Sequence, residues 1–223
     1  MKTTLIVSSL CLCQALCVIA AEPDQSAPPN SIEYHPHETL PFYASVSPAL
    51  SWVQDVSFSD SLERSTMKFH PGGGVDFVFG HNFNESLALE FNMGFLIQKS
   101  STERDAGGEF VHDILTQLPY MVNVRYQIPT HSRWHPFVGG GVGGVYTSLD
   151  DEEDFFGIGA TVNTGSDFTF AYQAFAGVRY EISRHFELGL EYKFMGTTEH
   201  DLGDVHMDPI YSHSLAFMFY FPF

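Results

Sequence analysis

The sequence predicts an all-β fold, an eight-stranded antiparallel up-and-down transmembrane β-barrel. Three observations carry this prediction. Leu215, Phe217, Phe219, Phe221 and Phe223 fall on every second position up to the C-terminus. Alternate side chains of a strand point to opposite faces, so these five make one apolar stripe. On a terminal edge strand in water such a stripe would invite aggregation, whereas in a bilayer it is the solvated face. The same alternation recurs in seven further segments from Phe42 onward. Finally, no segment beyond the N-terminal leader has the roughly 18 consecutive apolar residues of a membrane helix, so any spanning must be done by strands.

The elements follow in order. Residues 1–21 read as a signal peptide, with Lys2 as its positive start, an apolar stretch from Leu5 to Ala20, and cleavage signals at Val18-Ile-Ala20 and Ile19-Ala-Ala21. A retained anchor, or lipid attachment at Cys17, are the alternatives; Gln14, Ala15 and Leu16 fit lipid attachment poorly. Cys11, Cys13 and Cys17 all lie in this leader, so the mature chain is expected to lack disulfides, Cys-ligated metal and a thiol nucleophile. Residues 22–41 hold Pro23, Pro28, Pro29, Pro36 and Pro41 and read as an extended periplasmic lead-in. Residues 42–223 form the barrel domain.

Eight alternating segments fill that domain: 42–57, 67–80, 87–95, 118–126, 134–147, 168–180, 187–194 and the terminal strand from near Tyr211. In the third, Leu87, Leu89, Phe91, Met93 and Phe95 face one way and Ala88, Glu90, Asn92 and Gly94 the other. A soluble sandwich shares this period, so periodicity alone does not separate the two. Side-chain size does. The apolar faces carry Phe, Tyr and Leu, while the polar faces are Gly, Ala, Ser, Asn and a few charges. A small barrel has little interior room, so bulk outside and small polar groups inside suit membrane insertion. Pro48 and Pro119 each remove a ladder donor, and local bulges are expected there.

Short connections at His81–Asn84, Pro129–Arg133 and Ser183–His185 alternate with long ones at Ser59–Ser65, Ser100–Gly108, Ser148–Asp167 and Thr197–Asp208. Outer-membrane barrels keep short turns in the periplasm and long loops outside, so four extracellular loops are expected. Removing Lys2 leaves 9 basic against 27 acidic residues, a net charge of −18. Nucleic-acid binding is excluded on that charge, because phosphates demand Lys/Arg clusters.

Several segments resemble the outer-membrane-protein-A-type eight-stranded barrels. They are Tyr43–Asp55 with its Trp52-Val-Gln-Asp55, Asn123-Val-Arg-Tyr126, Phe137-Val-Gly-Gly-Gly-Val-Gly143 and Phe175-Ala-Gly-Val-Arg-Tyr180. The resemblance covers roughly residues 42–223 and implies the outer membrane as location. It implies contact with outer-membrane lipid and lipopolysaccharide, periplasmic chaperones and the barrel-insertion machinery as partners, and a monomer without cofactor. The terminal stripe Leu215, Phe217, Phe219, Phe221 and Phe223 would then be the insertion signal. No peptidoglycan-binding domain follows the barrel in this sequence, so cell-wall anchoring is not implied.

Inside the barrel, Asp76, Glu90, Arg125, Arg179, Glu187, Glu191 and Lys193 are expected to form a charge network. Simple hairpin registers would set Asp76 opposite Glu90, Glu90 opposite Arg125 through an Asn92–Asn123 pair, Arg179 opposite Glu187, and Gln173 opposite Lys193. Enclosed charges are costly unless paired, so a salt-bridged plug is expected rather than a wide pore. Asp150, Asp151, Glu152, Glu153 and Asp154 form an acidic run in the third loop, read as a solvated tip or as a cation-binding loop bridging to lipopolysaccharide. The run lacks the glycine and ligand spacing of a defined calcium loop. His200, Asp201, Asp204, His206 and Asp208, and the pair His35 and His37, match no metal spacing, and no metal site is assigned.

Enzymes exist on this architecture, but His213 is directly followed by Ser214. Neighbours on a strand face opposite ways, so this pair cannot serve as base and nucleophile on one surface. The expected function is a non-enzymatic structural or surface-interaction role in envelope integrity, adhesion or host contact through an extracellular ligand. A narrow channel for ions or small solutes is the alternative, and a lipid A-modifying enzyme the third.

Overall fold

The computed structural model describes residues 40–59, 64–103, 110–151, 163–202 and 205–223. The expected leader and nearly all of the lead-in lie outside these residues. Twelve strands follow in chain order: β1 (Phe42–Val53), β2 (Val56–Ser59), β3 (Arg64–Phe69), β4 (Gly72–Asn82), β5 (Leu87–Glu103), β6 (Phe110–Gln127), β7 (Trp134–Asp151), β8 (Asn163–Ser183), β9 (Phe186–Thr197), β10 (His200–Leu202), β11 (Val205–Met207) and β12 (Tyr211–Pro222).

Eight of them, β1, β4, β5, β6, β7, β8, β9 and β12, pair antiparallel with their ring neighbours, and the β1–β12 ladder closes the barrel. At that seam Phe42 and Phe223 exchange backbone hydrogen bonds of 3.2 and 2.8 Å. Closure removes the unpaired strand edges that a bilayer would not tolerate.

The faces divide by size as expected on the outside. Phe79, Phe91, Val122, Phe170, Leu190 and Phe217 are exposed, in line with the apolar outer band of a membrane barrel. The inside departs from the expectation of small residues alone. Tyr43, Phe137, Met121, Arg125 and Arg179 are all nearly fully buried there. Glycines on neighbouring strands make the room. A Cβ at Gly80 would fall 1.9 Å from the Tyr43 ring, and one at Gly141 would fall 2.1 Å from Asn123 Oδ1. Phe137 pairs with Gly177 and Phe175 with Gly139, and each ring lies over its facing glycine. The lumen wall is thus locally bare backbone, on which large side chains lie flat.

The expected bulges at Pro48 and Pro119 do not form. Pro48 keeps its pairing with Val75 of β4, and the β1–β12 ladder resumes in the same register beyond it. Pro119 pairs with Val145, and on its other side it stands opposite Gly94, whose Cβ would fall 2.8 Å from the proline ring. Each proline costs a ladder bond on one side only, and the register holds. The irregularities lie instead at Leu149/Asp150 and Glu181/Ser183.

The short connections sit between β4 and β5, β6 and β7, and β8 and β9, at the turn end of the barrel. The opposite, loop end is taller than the sequence suggested. β5 to β8 run 17, 18, 18 and 21 residues, whereas β1, β4, β9 and β12 have 11 or 12. A spanning strand needs only about 9–11 residues. Residues 100–103, 148–151 and 163–167, expected as loop, are therefore strand. β3 pairs with the loop end of β5, β2 with β3, β11 with β2, and β10 with β11, so the sheet continues past the rim of the ring.

Candidate functional site

The lumen is filled by side chains in successive layers, and all seven charges expected inside it are buried there. Nearest the turn end, Arg125 is enclosed by aromatic rings. Its guanidinium carbon lies 4.5 Å from the Tyr43 ring centre and 5.4 Å from that of Tyr220. It donates to the Tyr220 hydroxyl (3.3 Å) and to Asn82 Oδ1 (3.2 Å), and its Nε lies 3.4 Å from Glu90 Oε1. The Tyr43 hydroxyl donates to the same carboxylate at 2.6 Å. A buried carboxylate is tolerable when a cation and a donor both reach it.

Arg179 packs on the other face of this cluster, 3.8 Å from the Tyr220 ring centre. It pairs with Glu187 (3.2 Å) and donates to Gln127 Oε1. His135 stands between two carboxylates, 3.4 Å from Glu187 and 3.9 Å from Glu181.

The next layer centres on Lys193. Its Nζ lies 2.8 Å from Asp76 Oδ2 and 3.6 Å from Glu191 Oε1. β4 and β9 are separated in the ring by β1 and β12, so the Lys193–Asp76 bond spans lumen rather than a ladder. Asn92 donates to Asp76 (3.2 Å) and Gln173 to Asn123 (2.6 Å) at this level. Toward the loop end follows an apolar layer of Leu96, Met121, Val145, Ala171 and Met195. Beyond it lie neutral polar groups, with Gln98 donating to Ser51 (2.7 Å).

The hairpin registers differ from those read from the sequence. Asp76 stands opposite Gly94, not Glu90; Glu90 opposite Asn123, not Arg125; Asn92 opposite Met121, not Asn123. Arg179 stands opposite Gly189, and Gln173 opposite Met195. Every shift is an even number of residues, so each side chain keeps its face while changing its partner. The Arg125–Glu90 and Arg179–Glu187 contacts are therefore diagonal.

Sequence reasoning missed Tyr43, Asn82, Gln127, His135, Phe137, Glu181 and Tyr220 as members of the lumen. Glu181 and Phe137 continue the inward phase of their strands and could have been found by extending it. Tyr220 likewise lies on the inward phase of the terminal strand, whereas Tyr43 could not be told from a girdle aromatic by type.

The terminal residues Leu215, Phe217, Phe221 and Phe223 are exposed on the outer face, with Phe219 half-buried among them. Asp150 and Asp151 end β7 opposite Ile114 and Asp113, while Glu152, Glu153 and Asp154 lie outside the described residues. Asp201 pairs with His206 across the β10–β11 hairpin, and Asp204, His35 and His37 lie outside the described residues. His213 sits on the outer face against the Tyr192 hydroxyl (2.6 Å), whereas Ser214 is buried inside.

No curated protein sequence matches this chain. Among solved structures, Neisserial surface protein A is 17% identical, with 82% of this chain and 97% of that one covered and a TM-score of 0.52. The outer membrane protein OprG from Pseudomonas aeruginosa is 14% identical, covering 83% and 97%, with a TM-score of 0.53. The outer membrane protein AlkL, determined in lipid bilayers, is 15% identical, covering 90% and 96%, with a TM-score of 0.51. At these identities the likeness is one of fold. The outer membrane protein beta-barrel domain family matches residues 15–221, nearly the whole chain, and sets the protein in the outer membrane. The closed barrel, its apolar outer band and this match together make the chain a member of the outer membrane protein β-barrel domain family.

Proposed function

We propose that this protein is a structural and surface-interaction protein whose barrel is a closed, membrane-embedded stalk. The single observation behind this reading is the side-chain filling of the lumen: Arg125 to Tyr220 and Lys193 to Asp76 both bridge strands that are not ring neighbours. A lumen crossed by paired charges and then by an apolar layer is a poor route for ions, because each ion would have to shed water and break a buried pair.

The tall loop end supports the second half of the reading. Strands of 17 to 21 residues, tilted by about 40°, carry the sheet about 15–25 Å past what a bilayer requires, and hold a wall there for contact with a partner. In this account residues 1–21 are removed on export, and the turn end faces the periplasm. The loop end meets lipopolysaccharide and an extracellular ligand, and no reaction is catalysed.

Planar-bilayer recording of the refolded protein tests the reading. The expected trace shows no stable conductance steps. Steady, reproducible open steps from a heat-modifiable preparation would favour the narrow channel instead.

A further inference from the structure

Past the closed ring, the loop-end sheet changes character. β9, β12, β1 and β4 are consecutive in the ring, and all four break at their loop ends: at Thr198–Glu199, Asp208–Ile210, Gln54–Asp55 and His70–Pro71. β10, β11, β2 and β3 resume beyond these breaks and pair with one another in that order. They form a four-stranded leaf. On one side β3 ties the leaf to β5, with Met67, Lys68 and Phe69 opposite Thr102, Ser101 and Ser100. On the other side β10 lies against β8, yet no ladder joins the two. β5 to β8 run past this level without a break. Among the described residues the loop-end wall therefore has one seam, between β8 and β10.

The β8 side of that seam is a bare strand edge. The β8–β9 ladder ends at Ala171 and Thr197, and the Thr198 N–H then donates to the Phe170 carbonyl at 3.0 Å. Alternate residues of an antiparallel strand turn both backbone groups to the same neighbour. Phe168 and Ser166 thus turn theirs to the seam, and Asp167 and Thr169 turn theirs to β7. The Phe168 N–H meets no strand there and instead donates to its neighbour's Asp167 Oδ1 at 2.7 Å. A side chain stands in for a ladder partner. Such an edge is a template for another strand. It is also open to solvent: Phe168 is 63% exposed, and Ser166, Thr198 and Glu199 are exposed beside it.

Charge around the seam has one sign. Residues 134–178 and 194–223, which supply β7, β10, β11, β12 and the loop-end half of β8, hold no lysine or arginine. The same stretches hold six acidic residues, from Asp150 to Asp167, and four, from Glu199 to Asp208. A strand that pairs here enters a strongly negative field.

We propose that the β8–β10 seam is a docking site for an extended, basic peptide segment of an extracellular partner, taken up as an added strand on β8. Ser166 and Phe168 supply the backbone hydrogen bonds, and the carboxylate of Asp167 gives up the Phe168 N–H to the incoming carbonyl. The exposed Phe168 ring packs against the side chains on the outer face. The four breaks let the leaf turn away from β8 while the ring below stays closed. In strand addition the main-chain bonds carry affinity and the side chains carry specificity, here for positive charge. The site rests on the reading of the loop end as the surface that meets a partner.

Fluorescence anisotropy with a labelled peptide of alternating lysine and threonine, added to the protein refolded in neutral detergent, tests the site. The peptide is expected to bind. The same peptide N-methylated at alternate backbone nitrogens keeps its charge but loses donors, and should bind roughly tenfold more weakly or worse. Ser166→Pro removes a seam-facing N–H without touching the β7 ladder and should weaken binding similarly, whereas Ser166→Ala should not. Absence of binding, equal binding of the methylated peptide, or equal binding of a glutamate–threonine peptide would each overturn the proposal. So would full binding to a heat-modifiable Ser166→Pro barrel, or a doubled particle mass without peptide, which would give the edge to a second copy of this chain. The methylated peptide decides the matter even where Ser166→Pro fails to fold. Labelling Thr198→Cys in intact cells with a membrane-impermeant maleimide separately reports which end faces out. Absence of label on a heat-modifiable barrel would sink the orientation alone, and the closed lumen is judged by conductance.

Discussion

Arg125 on β6 donates a hydrogen bond to the hydroxyl of Tyr220 on β12 at 3.3 Å, although these strands stand at opposite points of the eight-stranded ring. The two side chains span the lumen between them. Tyr220 also carries Arg179 on its ring, so one tyrosine holds both buried arginines. The interior is thereby a packed core cross-linked through its centre.

Arg125→Ala removes that link and leaves the Glu90 carboxylate, itself 7% exposed, without its cation. Breaking one half of a buried pair costs about 3–5 kcal/mol, because the remaining charge is stranded. Urea titration of the folded band on an unboiled gel should show a clear loss of stability. Adding Glu90→Gln should recover part of it, since the stranded charge is then gone. Unchanged resistance of the single variant would count against the network.

Adjacent glycines should respond in opposite ways. A Cβ at Gly74 would fall 2.2 Å from the Phe95 carbonyl and 2.6 Å from Leu96 Cδ2, whereas one at Gly73 meets only the Ala49 carbonyl at 3.6 Å. Gly74→Ala should therefore cost about 1–3 kcal/mol through forced backbone movement. Gly73→Ala should be neutral, or stabilise by about 0.4–1 kcal/mol by restricting the unfolded chain. Paired urea midpoints check this, and equal effects would mean that the inward face at Gly74 is looser than described.

Gln117 is 1% exposed, and neither of its amide atoms has a hydrogen-bond partner among the described residues. It stands opposite Leu96, a member of the apolar layer. Leaving such a group unpaired costs about 1–3 kcal/mol, so Gln117→Leu should raise stability by a similar amount. A lower urea midpoint in the variant would instead mean that this level of the lumen is wet.

The legible and illegible parts of this fold divide along one physical line. Period-two alternation assigns a face, so the inward positions of Asp76, Glu90, Arg125 and Lys193 could be read from sequence. It does not assign a register, because a slip of two residues keeps every face. Asp76 therefore ends opposite Gly94 and meets Lys193, 117 positions away, across the barrel. Nor does residue type reveal which aromatics turn inward. Tyr43 is bulky and belongs by size outside, and only its facing glycine Gly80 admits it. The long loop ends of β5 to β8 escaped for a third reason. Once strands rise out of the membrane, the apolar stripe that marks them ends, and Ser100, Thr102 and Ser148 read as loop.

The most direct test of the closed lumen is a double-mutant cycle on the Arg125–Tyr220 contact, with Arg125→Met, Tyr220→Phe and both together compared by urea unfolding in detergent. A hydrogen bond to a charged group is worth about 1.5–3 kcal/mol, and the account expects a coupling of that size between strands that share no ladder. Additive effects, with no coupling beyond experimental error, would mean that the two side chains do not meet across the lumen, and the closed-stalk account would fall with them.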